Sequence, residues 1–124
     1  MTEINRRPWS DPQTGFCPVA ETLRTIGGKH KPNILHCLLS GEVHFLELGR
    51  QLDGISRKVL KEQLRDLEDA GLVKRVEKDD SRRSVGYSLT GKGLALGEIV
   101  SQLNDWWQIY NAGPVSGEEE RARK

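Results

Sequence analysis

Residues 54–73, GISRKVLKEQLRDLEDAGLV, decide how the rest of the chain must be arranged. The Ser56 hydroxyl is a good acceptor for the orphan amides of a first helical turn, and Gly71 supplies the left-handed residue that commonly ends a helix. The stretch therefore predicts a helix over about 57–70. Leu60, Leu64 and Leu67 recur at i, i+4 and i+7 and form one apolar stripe, with Val59 and Ala70 along its flank, that must lie on a core. The opposite face gathers Lys58, Lys61 and Arg65, with Arg57 beside them at the start. These charges oppose the helix macrodipole. Cations crowd the N-terminal end and Glu68 and Asp69 sit near the C-terminal end, each costing roughly a few tenths of a kcal/mol. A polyanion outside the chain would offset the mismatch. The alternative is a solvated face laced by pairs of Lys58 with Glu62 and Arg65 with Asp69.

Immediately before this helix, Phe45, Leu48 and Leu52 recur at i, i+3 and i+7 and predict a shorter helix over 45–52, joined to the next by the tight turn of Asp53, Gly54 and Ile55. A short helix, a glycine-containing turn and a capped helix with a basic start form a helix-turn-helix, whose second helix is the reader of a nucleic-acid groove. After Gly71 the chain turns extended. Residues 73–77 have the β-branched content of a strand, and Val85, Tyr87 and Leu89 alternate with Gly86 and Ser88, which predicts a second strand with one buried face. Between them lies KDDSRRS, residues 78–84. That hairpin tip carries Arg82 and Arg83 where a winged helix extends its wing along DNA, and an arginine there can enter a narrow minor groove. Asp79 and Asp80 pairing with the arginines would instead make it an ordinary charged tip.

Further out, Cys17 precedes Pro18, and proline at a first helical position followed by Val19, Leu23 and Ile26 predicts a short amphipathic helix ending at Gly27 and Gly28, with Cys17 as its N-cap. A thiol there feels the positive end of the helix, which favours the reactive thiolate, whereas an inert packed cysteine is the plainer reading. Lys31 and Pro32 open a core helix carrying Ile34, Leu35, Cys37, Leu38 and Leu39, and Val43 sits in a short edge strand. Thr90 is an N-cap for the longest helix, about 91–111. Leu96, Ile99, Leu103, Trp106 and Tyr110 follow there at alternating spacings of three and four, and Val100 and Trp107 add a second strip. So much apolar circumference exceeds what one small domain covers, which predicts a partner subunit rather than tryptophans folded back on their own core. Leu23 is expected to join that interface. Residues 1–15 read as a flexible arm in which Arg6, Arg7 and Trp9 could touch a partner, residues 16–112 as the domain, and residues 113–124 as a disordered tail.

Composition narrows the classes. At 124 residues, 35% hydrophobic and 30% charged, the chain is read as one soluble domain, and its net charge of +1 excludes a globally basic coat, so nucleic-acid affinity must come from charge segregated onto one face. Two cysteines, no signal-peptide pattern and no bilayer-length apolar run point to a cytoplasmic setting without a membrane partner. His30, His36, His44 and the cysteines lack the spacing of a chelating pair, so no metal and no cofactor is expected. No nucleophile, base and orienting group can be assembled into an enzyme site.

Taken in order, Cys17-Pro18, Gly27-Gly28-Lys29 with Lys31, Phe45-x-Glu47-Leu48, Gly54-Ile55-Ser56, Leu64-x-x-Leu67-Glu68 with Gly71-Leu72-Val73 and Arg75, and Tyr87-Ser88-Leu89-Thr90 with Gly93 resemble the HxlR family of bacterial winged-helix transcriptional regulators. The likeness runs from about residue 17 to 107. Two positions depart from the family pattern: His30 stands where tryptophan is usual, and the tip Asp80-Ser81-Arg82-Arg83 looks more like the wing of MarR-type regulators. The resemblance implies an α+β winged helix-turn-helix with an N-terminal helix and a long C-terminal dimerisation helix. It implies a homodimer on a palindromic operator in double-stranded DNA, repressing or activating transcription. The helix-turn-helix and wing reading assigns DNA contacts to Ser56, Arg57, Lys58, Lys61, Glu62, Arg65, Arg82 and Arg83, and the resemblance raises Cys17 as a redox or electrophile sensor. Two alternatives stand beside it: a MarR-type regulator with a small-molecule effector, and a winged helix used only for protein contacts, which would not need basic residues gathered on one side.

Overall fold

The structure, a computed structural model, describes residues 9–78 and 84–111. In chain order it contains α1 (Pro18–Thr25), α2 (His30–Cys37), β1 (Val43–His44), α3 (Phe45–Gln51), α4 (Arg57–Asp69), β2 (Val73–Glu77), β3 (Val85–Leu89) and α5 (Gly91–Tyr110). This is the α+β winged helix that the sequence predicts, with element boundaries moved by a few residues. β3 is the middle strand, antiparallel to β1 on one side and to β2 on the other, with Val43 opposite Tyr87 and Arg75 opposite the same tyrosine.

One core joins the elements. Ile34, Leu35 and Leu38 at α2, Leu48 of α3, the α4 stripe Leu60, Leu64 and Leu67, and Leu72 after α4 are all withdrawn from solvent to 1% exposure or less. At roughly 1.5–3 kcal/mol for each such side chain, this cluster dominates what holds the fold. The α4 stripe is therefore the keel of the molecule, and Gly71, at φ +78°, lets the chain leave α4 and re-enter the core at once with Leu72 and Val73.

Val19 and Leu23 of α1 are exposed, Leu23 being one of the residues expected at a partner surface, and only Ile26, just past the helix, reaches the core. Two expectations are corrected by packing. In β3, Gly86 is as buried as Tyr87, because Glu42 lies over it and a Cβ there would overlap the Glu42 carboxylate, itself paired with Lys78 at 2.9 Å. On α5 the face turned inward is made of Gly93, Gly97 and Val100, with Leu96 half-buried against the core rather than on the outer surface. Trp106 and Trp107 do not fold back; they remain 56% and 54% exposed. The later part of the expected N-terminal arm is turned upon itself, with Gly15 N–H donating to Asp11 O at 2.7 Å. Arg6 and Arg7, the tip arginines Arg82 and Arg83, and the tail from residue 113 lie outside the described residues.

Candidate nucleic-acid interface

Packing of α4 fixes what its other face can do. After α3, Ile55 N–H donates to Leu52 O at 3.2 Å, Gly54 takes φ +87°, and Ser56 Oγ accepts from Val59 N–H at 3.1 Å. That capped start is the predicted one. With the leucine stripe locked into the core, Ser56, Arg57, Lys58, Lys61, Glu62 and Arg65 are all exposed together. The pairs of the alternative reading, Lys58 with Glu62 and Arg65 with Asp69, are not among the ion pairs formed by the described residues. The first turn holds no acid. Positive charge at the dipole-positive end of α4 is thus left without compensation, which is the electrostatic requirement for receiving a phosphate backbone.

The C-terminal end of α4 behaves differently, because the chain compensates it from within. No basic residue lies in its last turn. Lys92 reaches across from α5 instead, its Nζ donating to Ala70 O at 2.8 Å, while Thr90 Oγ1 donates to Gly71 O at 2.7 Å. Mid-helix, Lys31 of α2 donates to Gln63 Oε1 at 2.9 Å and pairs with Asp66 at 3.2 Å. The chain supplies these cations itself. Sequence reasoning missed Thr90 and Lys92 in this role, although a last turn rich in acid and devoid of base signals that a cation must come from elsewhere.

Beside α4, β2 and β3 form the hairpin base, closed by Lys78 N–H donating to Ser84 O at 3.0 Å. Lys74 and Arg75 stand exposed on β2, the latter 3.4 Å from Glu77.

Cys17 caps α1 as expected, its Sγ accepting from Ala20 N–H at 3.5 Å. That amide and the Ser10 hydroxyl stabilise the thiolate and hold its pKa below the ordinary thiol value. Cys37, half-buried against the core, has its pKa pushed up by burial. Leu23, Ile99, Leu103, Trp106, Trp107 and Tyr110 are exposed, the rings of Trp106 and Tyr110 lying 5.7 Å apart.

The sequence pattern of the HxlR-like helix-turn-helix family matches residues 25–113. MalR of Fusobacterium mortiferum, named as a regulatory protein, is 42% identical over 93 residues, covering 74% of this chain and 88% of that protein. The HTH-type transcriptional regulator YdeP of Bacillus subtilis is 36% identical over 94 residues, 76% of this chain and 73% of YdeP. Among solved structures, the redox regulator HypR in its oxidised form is similar with a TM-score of 0.72 and 36% identity, over 78% of this chain and all of HypR. The chain therefore belongs to the HxlR-like helix-turn-helix family, and it is a DNA-binding regulator of transcription built on the winged helix.

Proposed function

We propose that the protein acts as a homodimer on a palindromic operator, with α4 of each copy in successive major grooves and the state of Cys17 controlling its hold on DNA. One observation carries the DNA-reading part: Arg57, Lys58 and Lys61 crowd the start of α4 with no carboxylate partner among the described residues. A winged helix used only for protein contacts has no need of such an end. Lys58 and Lys61 lie where a recognition helix meets base edges and can donate to guanine O6 and N7, while Glu62 can accept from a cytosine amino group. Ser56, Arg57 and Arg65 are assigned to phosphates, and Arg82 and Arg83 to the wing contact. The exposed apolar residues Leu23, Ile99, Leu103, Trp106, Trp107 and Tyr110 are assigned to the interface between copies. The Cys17 reading rests on its cap geometry and on the likeness to HypR. The thiolate adds to an electrophile such as a quinone, forming a carbon–sulfur bond while the ring takes up the electron pair and a proton from solvent. Acting on chromosomal DNA, the protein works in the cytoplasm.

Titration of operator fragments selected from the source genome, across a salt series, tests the assignment. Lys58→Ala or Lys61→Ala should alter the preferred sequence as well as the affinity. Arg65→Ala should weaken specific and unrelated DNA alike and flatten the salt dependence by about one unit of slope. No binding at low salt, or binding indifferent to replacing Arg57, Lys58 and Lys61 together, overturns the reading.

A further inference from the structure

The junction between the end of α4 and the start of α5 is tighter than the capping of one helix requires. Thr90 Oγ1 works twice: it accepts from Gly93 N–H at 3.0 Å, which caps α5, and it donates to Gly71 O at 2.7 Å, which caps the exit from α4. Thr90 N–H donates to Leu72 O at 3.0 Å, and Lys92 Nζ holds Ala70 O at 2.8 Å. Gly93 is buried at the contact, and a Cβ there would overlap the Leu72 carbonyl oxygen. Backbone meets backbone, with polar bonds on either side.

We propose that Thr90, Lys92 and Gly93 are positioning residues for operator recognition: they clamp α4 at a fixed angle to α5 and so set the half-site spacing that the dimer accepts. The inference rests on the reading of α5 as the dimerisation helix. The exposed apolar residues from Ile99 to Tyr110 belong to the same unbroken helix as Lys92, so the two-fold axis and the clamp are joined by one stiff rod. α4 is held by this clamp at its far end and presents Arg57 and Lys58 at the other. Its 13 residues span about 20 Å at 1.5 Å per residue. A tilt of roughly 10° at the clamp therefore moves the reading end by about 3.4 Å, one base-pair step along DNA. Loosening the clamp should broaden the accepted spacings without changing how one α4 reads one half-site.

Operators with identical half-sites and spacers changed by one or two base pairs test this in the full-length protein. Wild type should bind one spacing best. Lys92→Met and Thr90→Val keep side-chain volume but lose the hydrogen bonds. They should reduce discrimination between the best spacing and its one-base-pair neighbours by about 3- to 10-fold, and change affinity for an isolated half-site by less than about twofold. Thr90→Ser should restore the wild-type profile. Variants with an unchanged spacing profile overturn the proposal. So does a parallel loss of half-site and palindrome binding, the result expected if these residues merely stabilise α4. A wild type that is monomeric or indifferent to spacing overturns the dimeric reading and this inference with it, and that result is seen without any variant.

Discussion

Cys17 and Cys37 have the same side chain in opposite surroundings. The Cys17 sulfur accepts from the Ala20 amide and the Ser10 hydroxyl, both of which favour the thiolate, whereas burial against the core disfavours it at Cys37. Alkylation near neutral pH, followed by peptide mass mapping, should therefore modify Cys17 first. Its rate should rise through a midpoint below that of a free cysteine, about 8.5, and that of Cys37 through one above it. Ser10→Ala should move the Cys17 midpoint back towards the ordinary value; equal rates at the two thiols would contradict the assignment. Stability follows the same sign. A depressed folded-state pKa contributes stability above the unfolded thiol value and loses it as pH falls through the folded one. Cys17→Ala should thus cost more at alkaline than at acid pH, which denaturant titration at the two pH values would show. The cap itself was legible, since Cys-Pro before an apolar period is a helix start. Ser10 was not, because it reaches the thiol through a turn with no periodicity to read.

The two long helices show what a sequence pattern can and cannot reveal about an element. Ser56, the leucine spacing and Gly71 define α4 almost to the residue, because cap, stripe and stop are all local signals. Its C-terminal cation was invisible to the same reading, since Lys92 lies 22 positions beyond Ala70 and only folding brings them together. In α5 the large apolar residues drew attention outward while the seam that seats the helix is made of small ones. Gly93 lies on the Leu72 carbonyl, and Gly97 lies against Leu39 and Leu89. Leu96 was placed at the partner surface for that reason and packs inward instead. Gly93→Ala should accordingly destabilise the fold by roughly 1–3 kcal/mol, although alanine is the better helix former by about 1 kcal/mol. Gly91→Ala, with open space around it, should leave stability unchanged or slightly higher. Urea denaturation compares the two, and an equal response would mean the close approach at Gly93 carries no constraint.

For the whole molecule, charge and apolar surface are divided between two regions of one small domain. A net charge of +1 gives little overall attraction to DNA, so on the proposed reading the uncompensated start of α4 steers the encounter, and two copies held together would double it. In the proposed dimer, the outer side of α5 is the surface that would hold the two copies. Leu103 is 50% exposed and Trp106 56%, with Ile99, Trp107, Ile109 and Tyr110 exposed beside them in the same chain segment. Because neither Leu103 nor Trp106 contributes to the core, Leu103→Glu and Trp106→Glu should leave a folded chain with an unchanged helical circular-dichroism spectrum. At the subunit contact, each would place a carboxylate in an apolar interface at a cost of several kcal/mol. A loss of about 4 kcal/mol weakens self-association by roughly a thousandfold, enough to turn a micromolar dimer into a monomer under the same conditions. Sedimentation equilibrium should record that change. The same variants should retain weak binding to one half-site and lose the advantage of the palindrome, since each α4 would then read alone. A wild type that sediments as a monomer, or variants that remain dimeric, would mean that the outer surface of α5 serves some other contact.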